Sequence, residues 1–138
     1  MNTKKPVKKL TYDDFMTQDI LSESVKMELM KGEEVTEHYL MVESPFLAKH
    51  ARTKISWAVK NASIKEQSGL IEDEAEKIFT RDQLIEDVNI EFALTLISGW
   101  SFGEATTNRV KKILEQNTGL ATLVINKGYS IEATRSKK

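Results

Sequence analysis

Apolar residues recur along this chain with two different periods, and each period predicts a different kind of element. Between Ser24 and Val42 they alternate. Val25, Met27 and Leu29 are separated by Lys26 and Glu28, the spacing of a half-buried strand. Lys31, Gly32 and Glu33 supply a turn, because Gly32 is free to take positive φ. The return strand is read over Val35 to Val42, with His38, Leu40 and Val42 on one face and Tyr39 and Met41 on the other. A two-stranded ribbon is marginal alone, so it is expected to lie against helices.

From Ser44 onward the period lengthens. Ser44 at an N-cap and Pro45 at the first helical position predict a helix start. Leu47, Ala51, Ile55, Ala58 and Ala62 then recur every three or four residues, a core stripe whose alanines admit a close neighbour. Gly69 is read as the C-cap. A second helix is read over Asp82 to Ile97, with Leu84, Ile85, Val88, Phe92 and Leu96 on one side. Its end belongs to the most apolar window of the chain, Asn89 to Phe102. There Ile90, Ala93, Leu94 and Ile97 are assigned to the core, facing the Leu47–Ala62 stripe, and Gly99 with Trp100 to a structural corner where the helix stops. Thr106 or Thr107 caps a helix from Asn108 to about Gln116, with Val110, Ile113 and Leu114 inward. After Asn117–Gly119 comes a last helix bearing Leu120, Leu123, Val124 and Ile125, which Gly128 ends or bends. The fold class that follows is α+β and mostly α-helical: a small N-terminal β-hairpin packed on a bundle of about four helices. Residues 23–134 are read as a single α-rich domain, 1–22 as a basic tail and irregular lead-in, and 135–138 as a disordered tail.

Charge changes this picture in one respect. From Ser44 to Lys65 the charged residues are Lys49, Arg52, Lys54, Lys60 and Lys65, with no acid; from Glu66 to Glu91 nine acids face two bases. Either the two helices pair their charges across a shared rim, or one face stays open for an oppositely charged partner. The whole chain, 138 residues with net charge −1, gives no overall electrostatic case for nucleic acid or an anionic membrane. Lys4, Lys5, Lys8 and Lys9 are read as a solubilising tail. No apolar run approaches the roughly 20 residues of a membrane helix, so a soluble protein is expected.

Candidate chemistry is sparse. The chain has no cysteine, and its two histidines, His38 and His50, fall on separate predicted elements, so no zinc site is expected. Gly99–Gly103 lacks the spacing and lysine of a phosphate loop, and no nucleophile elbow is present. The acids at Asp13–Asp14 and Glu72–Glu76 match no calcium loop. No enzyme, metal or cofactor is expected.

Phe92 to Ser101 is an apolar helix running into Gly99–Trp100. A Thr-capped short helix, a break at Asn117 and a last apolar helix follow. This order resembles the tail assembly chaperones of long-tailed bacteriophages, and the hairpin and Ser-started helix upstream fit the same layout over roughly Val25 to Tyr129. Thr118–Gly119 replaces the usual proline-containing break, and the usual acidic pair after Gly-Trp-Ser is reduced to Glu104. The resemblance implies a non-catalytic chaperone in the host bacterial cytoplasm, absent from the mature virion. Such proteins bind the tape measure protein, help recruit the tail tube protein and form homo-oligomers. Candidate partner-binding residues under this reading are Trp57, Phe46, Met30, Met41 and Phe102. Trp57→Ala is expected to weaken client binding and leave the fold intact. Two other classes stay open: a head-tail connector or tail protein retained in the virion, and a small DNA-binding regulator.

Overall fold

A computed structural model describes residues 24–136; the basic tail with Lys4, Lys5, Lys8 and Lys9, the lead-in to Ser22, and Lys137 with Lys138 lie outside the described residues. Strands β1 (Val25–Lys31) and β2 (Glu34–Val42) form the expected antiparallel hairpin. Gly32 at its turn has φ 63°, the left-handed conformation that favours glycine. Leu40 and Val42 point into the core and are fully buried, while Met41 is half-exposed. Four helices follow: α1 (Ala51–Ser68), α2 (Glu74–Leu96), α3 (Thr107–Gln116) and α4 (Leu120–Ser136). The fold is α+β and mostly helical.

The hairpin gains a third strand where the sequence pattern indicates a corner. Strand β3 (Ile97–Trp100) leaves α2 directly and pairs antiparallel with β2, giving the order β1-β2-β3. Trp100 lies opposite Leu40 and packs against the core, and Gly99 lies opposite Met41. Neither forms a helix stop, and Gly99 does not have positive φ. The helix ends because its last carbonyls find a strand: the Glu43 amide donates to the Leu96 carbonyl at 2.8 Å. The turn comes later, at Gly103, where φ is 63°. Thr106 then caps α3 as expected, its side chain accepting from the Arg109 amide.

Helix α1 also departs from expectation. Ser44 does not start it. The Ser44 side chain is buried and accepts from the Phe46 amide at 3.1 Å, one 3-10 turn (Ala48–His50) intervenes, and α1 opens at Ala51. The connection is held by a buried polar pair. His50 Nε2 sits 3.1 Å from Glu43 Oε1, and Lys49 closes on the other oxygen at 2.8 Å. Leu47 is buried as predicted, but Ala51, Ile55, Ala58 and Ala62 face outward. The inward face is Trp57, Asn61, Ile64 and Ser68, rotated roughly a third of a turn from that stripe. Ile90 and Ala93 are buried as expected, and Leu94 and Ile97 are half-buried. Of this end of α2 it is Phe92 that meets the inward face of α1, through Trp57, while Ile90 is turned toward α3.

Helix α2 begins eight residues before the predicted start, at Glu74, with the Asp73 side chain accepting from the Glu76 amide at 2.8 Å. Helix α4 runs straight through Gly128 to Ser136, so Arg135 and Ser136, expected in a disordered tail, lie within it. Gly128 is needed for contact, not termination. A Cβ there would sit 2.9 Å from the Glu43 carbonyl oxygen, 3.2 Å from Pro45 Cδ and 3.3 Å from Leu96 Cδ1. Backbone on one side and packed core on the other leave no room to yield. Alanine normally favours a helix over glycine, yet Gly128→Ala is expected to lower stability by about 1–3 kcal/mol. An unchanged or higher urea midpoint would show that α4 does not approach so closely.

Candidate interaction surfaces

The residues predicted to bind a partner do not gather on one surface. Trp57 is half-buried between α1 and α2. Its ring stacks on Phe92 with centroids 4.7 Å apart, and its indole N–H donates to Asn89 Oδ1 at 2.8 Å. It packs the α1–α2 contact, a structural role beside the partner contact expected of it. Phe46 is exposed, but its ring meets the edge of Tyr129 and lies under the Lys54 ammonium at 4.6 Å. Phe102 stacks on His38, centroids 4.7 Å apart, while His38 Nδ1 lies 3.0 Å from the Ser101 hydroxyl. Met41 lies against Gly99 on the sheet face away from the core. Met30 borders an open apolar cleft.

That cleft lies between β1 and the α3–α4 junction and has a volume of about 260 Å³. Met27, Leu29 and Met30 form one wall, and Ile113, Leu120 and Leu123 the other. Met30 and Leu123 are each more than half exposed. The strand alternation places Met27 and Leu29, but the opposing wall depends on how α4 folds back, which no local pattern encodes.

Two further surfaces lie on the α1–α2 pair. The outward stripe of α1 exposes Ile55 and Val59 at 62% each. On α2, Phe79 is 69% exposed at the edge of a notch that also includes Ile90 and is bordered by Asp82, Glu86, Asp87 and Glu115. Most charges of α1 and α2 are not paired with one another across a shared rim. Among the described residues, Lys60 with Glu91 at 2.9 Å is the single ion pair joining these helices. The open-face alternative fits this geometry better.

Among the described residues no helix is long and apolar enough to cross a membrane, and no group of three or more His, Asp or Glu side chains is placed to hold a metal ion. The buried Glu43–His50 pair escaped the sequence reading because a seven-residue separation across an irregular turn carries no periodic signal. Comparison with protein-family models, curated proteins and solved structures finds no match to this chain.

Two measurements check the aromatic packing. Trp57→Ala should cost about 2–4 kcal/mol, because it removes the stack on Phe92 and leaves Asn89 without its indole donor. Trp57→Phe should cost clearly less; equal losses in chemical denaturation would mean the stack contributes nothing. Burial pushes the Tyr129 phenol above its ordinary value of 10.0. The stability associated with the neutral phenol is therefore fully present below the unfolded pKa and is lost as pH rises through the raised folded value. Above pH 10.0 the native chain should lose urea midpoint more steeply than Tyr129→Phe. Parallel losses would remove the assignment.

Proposed function

We propose that this chain is a tail assembly chaperone of a long-tailed bacteriophage. In this reading it acts without catalysis in the host bacterial cytoplasm, binds the tape measure protein, helps recruit tail tube subunits, self-associates and is absent from the mature virion. The observation that carries the reading beyond the sequence resemblance is the methionine-walled cleft between β1 and α3–α4. A client made of long amphipathic helices presents a varied apolar stripe and needs a receptor that can adjust. Met27 and Met30 are unbranched and polarizable, and Ile113, Leu120 and Leu123 oppose them across a space open to solvent. An exposed apolar cleft is costly to a protein with no partner for it, because it invites aggregation.

Co-expression with the tape measure protein tests this directly. The native chain should keep the client soluble and co-purify with it. Met30→Asp combined with Leu123→Asp should lose most of that recovery while retaining the native circular dichroism, since both side chains are exposed. A client that stays insoluble with the native chain, or is recovered equally with the double variant, counts against the reading. Mass spectrometry of purified particles separates it from a retained connector or tail protein, which would be found there. Steeply salt-dependent binding to duplex DNA would favour the regulator instead.

A further inference from the structure

Ile55, Ala58, Val59 and Ala62 form an apolar stripe on the side of α1 opposite Trp57, and all four are exposed. Helix α1 therefore carries apolar side chains on two opposite faces, and its own fold covers one. The outer stripe is flanked by the bases Arg52 and Lys65, with the single acid Glu66 at its C-terminal end. Arg52 and Lys65 are exposed and have no acidic group within ion-pair distance among the described residues. On the far side of the helix pair, the α2–α3 notch is the complement. It measures about 370 Å³, has Phe79 and Ile90 as its apolar part, and is bordered by acids that include Asp82 and Glu115.

We propose that a second copy of this chain covers the stripe: α1 of one copy seats Ile55 and Val59 on the acid-rimmed Phe79 notch of the next. Charge complementarity selects this occupant. Stripe against stripe would bring the bases of both copies together, and notch against notch would do the same for the acids. Stripe against notch pairs the two signs and covers both apolar surfaces. Ala58 and Ala62 present no bulk beyond a methyl group, so the approaching surface can come close to the α1 backbone. Because the two surfaces differ, the contact is head-to-tail, and its repetition builds a ring or an open stack. The proposal rests on the reading above only in naming how its self-association is achieved. It makes no use of the methionine cleft, so client binding and self-association can fail independently.

The experiment is light scattering of the full chain after size exclusion, over a range of concentrations. The native chain should show a mass above one copy that rises with concentration. Ile55→Asp blocks the stripe and Phe79→Asp blocks the notch, so each variant alone should run as a single copy. Mixed, the two should form a one-to-one dimer, because one still offers a native notch and the other a native stripe. Far-UV circular dichroism confirms that both variants fold. As a second route that leaves the apolar groups untouched, Arg52→Glu or Asp82→Lys should each weaken association about tenfold. The two charge changes mixed as separate chains should recover it, because each contact between unlike chains again pairs opposite signs, and both changes in one chain should recover it too. A native chain that is a single copy at every concentration would overturn the proposal. So would blocked variants that fail to dimerise when mixed, or charge changes without effect.

Discussion

The final two turns of α2 set the demand that the remaining elements meet. Ile90, Phe92, Ala93 and Leu96 are all buried, and on a helix they spread over nearly half the circumference. One neighbouring element cannot cover such a span. Helix α1 covers the Phe92 side through the Trp57 stack, α4 comes against Leu96 at Gly128, and β2 contributes Leu40 and Val42 to the same core. Full burial of side chains of this kind stabilises by about 1.5–3 kcal/mol each, so this short segment accounts for a large share of the apolar driving force.

The same segment explains the junctions. A helix packed on several sides still ends with carbonyls that need donors, and α2 solves this by feeding straight into the sheet. The Glu43 amide reaches the Leu96 carbonyl, β3 continues along β2, and the Glu43 side chain turns to His50 and Lys49. Glu43 thus ties the end of β2 to the end of α2 and to the turn before α1. The approach of Gly128 to the carbonyl of that same residue brings α4 into the joint. Four elements meet at one residue whose identity gives no local hint of this.

Away from that joint, the helices are less completely covered. The outward stripe of α1 and Phe79 on α2 remain exposed, and opposite charges lie on the two helices with one ion pair between them. The methionine cleft is a third uncovered apolar surface, on a different side chain set from the other two. A chain with a well-filled centre and apolar surfaces rimmed by charge is suited to association.

Local chemistry alone determined the hairpin with its Gly32 turn, the Thr106 cap, the breaks between helices and the burial of Ile90, Ala93, Val110 and Leu114. Each follows from spacing, a capping oxygen or glycine's access to positive φ, all of which act within a few residues. The tertiary structure decided which way amphipathic elements face. The alternation of Ile55 with Ala58 and Ala62 is a genuine helical stripe, but α1 carries a second one through Trp57 and Ile64. Periodicity cannot rank the two, and the Phe92 stack with the Asn89 hydrogen bond turned Trp57 inward. Gly99 and Gly128 read alike as breakers, yet one lies in a strand too short to show a period and the other permits a close helix approach. Glycine announces where a side chain is missing; only the neighbour across the gap determines whether that absence serves a turn, a strand or a contact.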